Sequence, residues 1–243
     1  MVKKDSIFKV GNFNDLTFTF NEEVTEVFED MIDRSVPGYT SSLRLIENLS
    51  RKYFVEGTCC YDLGCSLGAS TISLIKAIGK REGRVFAIDK SKAMVAASEY
   101  KFADHIESGK VKFIKQDVRE TQIDKASVVV INFVLQFLDP KDRENLLKNI
   151  FSGMKQGALL IMSEKIHFHN KFRNQTISNF HHKFKSNNGY TKMEISRKRD
   201  ALEGVLVTDL ETEHHERLQK IGFKEIRKVM SNLNFLTLIA EKK

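Results

Sequence analysis

Residues 61–70 read YDLGCSLGAS: an Asp-Leu-Gly step, then a second glycine four positions on. TCCYDLG, from residue 58, has the apolar character of a strand, and a helix is expected from about residue 69 to 81. Gly64 and Gly68 permit backbone conformations and close approaches that a Cβ would hinder. Amide N–H groups at the start of the following helix suit an anionic group. The spacing is not G-x-G-x-x-G, so the turn lacks the third glycine of the dinucleotide fingerprint. A glycine turn from strand to helix opens a βαβ unit here.

Downstream, GRVFAIDKS (83–91) reads as a second strand ending in a polar turn, and Ser91 caps a helix over SKAMVAASEYKFADHI (91–106). KVKFIKQDV (110–118) is a third strand. SVVVINFVLQFL (127–138) contains a fourth, so continuously apolar that both of its faces must be covered. Asp139 and Pro140 supply the N-cap and first position of a helix carrying Leu146, Leu147, Ile150, Phe151 and Met154. Gly157 is expected to close that helix, and ALLIMSEK (158–165) is a fifth strand. Upstream, Asn21 caps a helix with Val24, Val27, Phe28, Met31 and Ile32 on one face. PGY (37–39) breaks it, and SSLRLIENLSRKYF (41–54) forms a second.

This alternation predicts an α/β fold, a doubly wound and mostly parallel sheet. Residues 166–210 break the rhythm: polar and mostly helical, they read as an insertion over the sheet's carboxyl edge within one domain, 1–243. HERLQKIGF (215–223) is a last helix, and FKEIRKVM and LNFLTLIAEK, joined at Ser231-Asn232, predict a closing hairpin.

Composition narrows the class. Of the 243 residues 41% are hydrophobic and 29% charged, as in a soluble globular protein. No apolar run reaches membrane-spanning length, and the first residues lack a signal-peptide core, so cytoplasm is the expected compartment. Cys59, Cys60 and Cys65 match neither a disulfide framework nor zinc spacing. A net charge of +7 favours anionic partners, but no RNA-binding motif accompanies it, and direct nucleic-acid binding is not expected. His181-His182 and His167-x-His169 invite a metal reading, yet no carboxylate or cysteine completes a ligand set, so no metal is predicted.

The strand ends carry the chemistry. Asp89 ends the second strand, where a carboxylate accepts hydrogen bonds from both hydroxyls of a ribose. Asp117 ends the third, within reach of an adenine amino group, and Asn132 in the fourth can donate and accept toward a ligand. Singly, each is equally a solvated strand end or cap. Together with the glycine turn they describe an adenosine pocket.

DLGCSLG, AIDKS, QDV and the closing hairpin resemble the S-adenosylmethionine-binding fold of class I methyltransferases, which implies a seven-stranded sheet. In that family the glycine loop passes the amino-acid tail of the cofactor, which makes a dinucleotide dehydrogenase the poorer reading. More specifically, RSVPGYTSS (34–42), INFVLQFLDP (131–140), LIMSEK (160–165), HHKFKSNNGY (181–190) and EISRKRDALEGVLVTD (194–209) resemble the carboxy-S-adenosyl-L-methionine synthase family. The similarity runs from about residue 6 to 225, and RKVMSNLNFLTLIAEKK, in a chain without Trp, departs from it.

The resemblance implies roles. Tyr39 packs on or hydrogen-bonds the cofactor; Gly64, Cys65 and Ser66 line its tail; Asp89 and Lys90 bracket the ribose, Asp117 and Val118 the adenine, and Asn132 the centre. Arg199 takes the new carboxylate, as the catalytic residue. On the residues alone, Arg199 beside Arg197 and Lys198 is equally a solvated arginine on a basic helix. The implied reaction turns prephenate and S-adenosylmethionine into phenylpyruvate and carboxy-S-adenosylmethionine, donor for the wobble uridine of tRNA. Prephenate loses carbon dioxide and hydroxide; the hydroxide takes a proton from the sulfonium methyl group, and the ylide captures the carbon dioxide. A homodimer is implied as well. The rivals are a methyltransferase acting on tRNA or a small acid, and a module that binds the cofactor without turnover.

Overall fold

The computed structural model describes residues 3–9 and 18–243. Part of the irregular start read before Asn21 therefore lies outside the described residues. Among the described residues seven strands form the sheet: β1 (Thr58–Leu63), β2 (Gly83–Asp89), β3 (Val111–Lys115), β4 (Ala126–Asn132), β5 (Met154–His167), β7 (Lys224–Asn232) and β8 (Phe235–Glu241). A two-residue β6 (Asp209–Leu210) adds to the end of β5. The order is β3-β2-β1-β4-β5-β8-β7, parallel from β3 through β5, with β8 antiparallel to both β5 and β7. The order reverses between β1 and β4, the place where open α/β sheets take their ligands.

The fourth strand explains why its sequence looks unpatterned. Successive side chains point to opposite faces, and both faces are covered. Val129 and Ile131 join Leu146, Leu147 and Ile150 of helix α6 (Pro140–Gly153) on one side. Val128 and Val130 meet Ile46 of α2 (Tyr39–Tyr53) and Leu74 of α3 (Ala69–Ile78) on the other. Ser127, near the strand's start, is buried and satisfied by the Thr58 hydroxyl at 2.7 Å, and the next polar residue is Asn132 at the edge.

Helix α1 (Glu22–Asp33) starts where Asn21 accepts from the Val24 amide at 3.0 Å. Ser91 caps α4 (Lys92–Lys101) in the same way, at 3.2 Å from the Met94 amide. The single helix expected to residue 106 breaks at Phe102, and a short α5 (Ala103–Glu107) follows. The buried Phe102 ring lies over Gly68, where a Cβ would meet it at 2.6 Å. Packing against the glycine turn takes precedence over helix continuity.

Two turns fall elsewhere than the sequence suggested. Helix α6 ends at Gly153, not Gly157, because the chain passes so close to Ile123 that a Cβ would stand 2.0 Å from its carbonyl oxygen. Met154 already belongs to β5, and Gly157 (φ +77°) lies within that strand. The hairpin turns at Leu233-Asn234 rather than Ser231-Asn232: Asn232 still pairs with Phe235, and Leu233 takes φ +56°. Asn234 fixes this register by donating its side-chain amide to the Ile166 carbonyl at 2.9 Å.

Gly153→Ala is accordingly expected to destabilise by about 3 kcal/mol, the upper part of the overpacking range, since the opposing atom is backbone and cannot rotate away. Urea unfolding checks this; a midpoint equal to wild type would contradict the close approach.

Residues 166–210 fold as α7 (Lys171–Asn187) and α8 (Lys192–Ala201), followed by a loop and β6. A capping box at Thr191 and Glu194 starts α8. Helix α9 (Glu211–Ile221) then leads into β7.

Candidate active site

A cavity of about 520 Å³ opens at the carboxyl ends of the strands, between them, α1, α2 and the α7–α8 segment. All ten residues singled out from the sequence line it.

The glycine turn forms one wall. The amides of Gly64 and Cys65 both bond the Ile88 carbonyl, at 2.8 and 2.9 Å, which folds the chain back on β2. Gly64 takes φ +75°, and Val134 would stand 2.5 Å from a Cβ there. Ser66 adopts φ +46°, unusual for a residue with a side chain. Its amide donates to one Asp89 oxygen at 2.9 Å, while the Ser91 amide donates to the other at 2.9 Å. Burial pushes the Asp89 carboxyl up, and these amides pull it back toward the anion.

Asp117 is already engaged. Arg119 clasps its two oxygens at 2.9 and 2.7 Å and holds the carboxyl below its ordinary value. Val118 beside it is buried. Asn132 donates to Ser70 Oγ at 3.1 Å, and its Oδ1 is buried without a partner among the described residues. That orphaned acceptor is the kind of group a ligand ammonium or hydroxyl satisfies. Tyr39 stands at the start of α2 with its ring 6.4 Å from Phe133; burial pushes its phenol well up, so it remains a donor.

A residue that the sequence reading missed holds the next wall. Phe133 takes φ +62°, a conformation strained for a bulky side chain. The amides of the three residues after it, Val134, Leu135 and Gln136, all donate to the Glu164 carboxylate at 3.1, 2.8 and 3.1 Å. Burial pushes Glu164 up to about 8 against these three donors, which favour the anion. The signal was available: an acid inside the otherwise apolar LLIMSEK has to be satisfied by something.

The α7–α8 wall is basic. Lys185 and Lys198 are buried, with Lys165 from β5, His181, His182 and Arg199 around them. Lys198 bonds Ser35 Oγ at 3.0 Å and lies 3.7 Å from Asp5. His181 bonds the Ser35 carbonyl at 2.8 Å, and burial pushes it down to about 3, so it is neutral. His167 instead contacts Thr208 Oγ1 at 3.2 Å. Arg199 reaches the cavity, but its side chain is 64% exposed and paired with Asp200 at 2.9 Å. Among the described residues no helix is long and apolar enough to cross a membrane.

Comparison with known proteins places this arrangement. Residues 61–157 match the family model described as a methyltransferase domain. In solved structures the fold resembles magnesium protoporphyrin IX methyltransferase of Synechocystis PCC 6803 (TM-score 0.58, 14% identity, 95% of this chain and 88% of that one). It also resembles human N-acetylserotonin methyltransferase (TM-score 0.59, 14% identity, 90% and 55%). Far greater likeness is found in carboxy-S-adenosyl-L-methionine synthases. That of Shewanella halifaxensis is 41% identical over 225 residues, 93% of each chain. That of Vibrio parahaemolyticus is 41% identical over 243, covering 98% of this chain and 97% of the relative. At that identity over nearly the whole length, on a class I methyltransferase fold, the chain belongs to the carboxy-S-adenosyl-L-methionine synthase family.

Proposed function

We propose that the protein converts S-adenosyl-L-methionine and prephenate to carboxy-S-adenosyl-L-methionine and phenylpyruvate. The observation that carries this reading is the composition of one cavity: acids and amides at the strand ends, cations on the helices opposite. The acids suit a nucleoside, and the cations suit a dianionic acid.

In this reading Gly64, Cys65 and Ser66 hold the methionine tail, with the free Asn132 Oδ1 available to a donor on the ligand. Asp89 and Lys90 hold the ribose; Asp117 and Val118 take the adenine, and Tyr39 packs beside the cofactor. S-adenosylmethionine supplies the sulfonium methyl carbon that is carboxylated. The chain's own part is to exclude water, to keep the carbon dioxide in place and to stabilise charge. Residues 166–210 act as the lid of a single domain, and Arg199 turns from Asp200 to the carboxylate formed. The product serves tRNA wobble-uridine modification, made by a cytoplasmic homodimer that does not itself bind nucleic acid.

Incubation with S-adenosylmethionine and prephenate, followed by mass spectrometry, tests the reading. A species heavier by one carbon dioxide, dependent on prephenate, is expected. S-adenosylhomocysteine with a methylated acceptor would instead make the enzyme a methyltransferase.

A further inference from the structure

The cavity holds more cationic side chains than the proposed role of Arg199 uses, and they differ in how they are satisfied. Lys198 has Ser35 and Asp5, and Arg199 has Asp200. The ammonium groups of Lys165 and Lys185 have neither a hydrogen bond nor an ion pair among the described residues. Lys185 nonetheless is only 8% exposed. A buried ammonium with no counter-ion is costly, and two in one cavity repel each other as well.

The carboxylates of the same cavity do not relieve them. Asp89 is taken by the Ser66 and Ser91 amides, and Asp117 by Arg119. Glu203 is exposed and forms no ion pair among the described residues. The neighbouring His181 is neutral, and burial also lowers His182. The surroundings of Lys165 are aromatic: the Phe235 ring lies 5.8 Å from its ammonium, and the His181 ring lies 5.0 Å from the Phe235 ring. Phe133 meets Phe235 at 5.9 Å. Two unpartnered amines beside an aromatic patch fit a six-membered ring bearing two carboxylates.

We propose that Lys165 and Lys185 seat the carboxylates of the second substrate and select a dicarboxylic acid over a monocarboxylic one. This deepens the reaction proposed above and rests on it. The division of labour is then clear: the lysines hold the incoming acid, and Arg199 holds the carboxylate that forms at the sulfur.

The lysines are built to respond to an anion. Burial, with Lys165, Lys198 and Arg199 nearby, pushes Lys185 down to about 7, and burial also lowers Lys165. A bound carboxylate favours the charged amine, so binding above pH 7 takes up a proton. Below pH 7 Lys185 already carries its charge, and affinity is insensitive to pH. Above it, affinity falls, by up to about tenfold per unit for one proton taken up.

The test uses the intact enzyme with Lys165→Met and Lys185→Met. Each is expected to raise KM for prephenate by about ten- to a hundredfold, the effect of losing one charged hydrogen bond. The dissociation constant for S-adenosylmethionine should stay at the wild-type value, which also reports an intact fold. The wild-type rise in KM from pH 7 to 9 should flatten in Lys185→Met, a change that a merely structural lysine would not produce. Unchanged KM in both variants overturns the assignment and leaves the reaction standing. A wild-type KM that does not rise over that range overturns it too, independently of how the variants fold. A wild-type enzyme that does not consume prephenate overturns the reaction, and this inference with it.

Discussion

Arg199→Leu is expected to lose formation of the carboxylated product while binding S-adenosylmethionine as wild type does. If the guanidinium meets the new carboxylate through two parallel N–H donors, each charge-assisted bond contributes about 1.5–3 kcal/mol. Losing both corresponds to about a hundredfold to ten-thousandfold in turnover. In the structure the same guanidinium faces Asp200, through Nε at 3.1 Å and Nη2 at 2.9 Å. This exposed ion pair contributes little, of the order of 0–1 kcal/mol, so exchanging it for a carboxylate in the cavity is an easy step. Arg199→Lys should fall between, since an ammonium is a point charge without the planar fork. Single-turnover product analysis checks the series; wild-type product yield from the leucine variant would remove Arg199 from the chemistry.

The second large effect concerns stability. Arg143 is fully buried within α6, a helix whose first turn reads as ordinary polar surface. Its guanidinium bonds Asp209, the Val207 carbonyl at 2.8 Å and the Leu138 carbonyl at 3.0 Å. Asp209 also pairs with Arg217 at 2.8 Å. Burial would raise the Asp209 carboxyl, but the two arginines hold it below its ordinary value. Arg143→Ala leaves a buried carboxylate with half its partners and two carbonyls with fewer donors. The expected cost is about 3–5 kcal/mol, or roughly 6–20 °C in Tm for a chain of this size. Calorimetry decides it: a Tm within about 2 °C of wild type would mean that Arg217 alone satisfies Asp209. The network ties the end of the 166–210 segment to α6, so loss of activity is expected to accompany the loss of stability.

Much of the fold was legible because its signals are local. Asn21, Ser91 and Asp139 cap the helices they were assigned to, since an N-cap needs only its own side chain and an amide two or three residues on. The apolar run of β4 announced a strand covered on both faces. The glycines of the first turn sit where positive φ and close approach require them. The turns that moved are those decided by distant partners: Ile123 against Gly153, and the Ile166 carbonyl against Asn234. The break at Phe102 likewise depends on a glycine over thirty positions away, which no helical periodicity reports.

The candidate site divides in the same way. Asp89, Asp117 and Asn132 follow from strand ends, because a parallel sheet carries every strand's carboxyl end to one edge whatever the loops do. Lys165, Lys185 and Arg143 could not be read so. Lys185, on a basic helix, looks solvated in sequence, and only burial on folding strips it of water, while Lys165 ends up beside the Phe235 ring. The sequence by itself determined the sheet, its glycine turn and the family. Tertiary structure decided which charges are buried and which are left without partners, because burial is a property of the neighbours that folding brings and not of the residue itself.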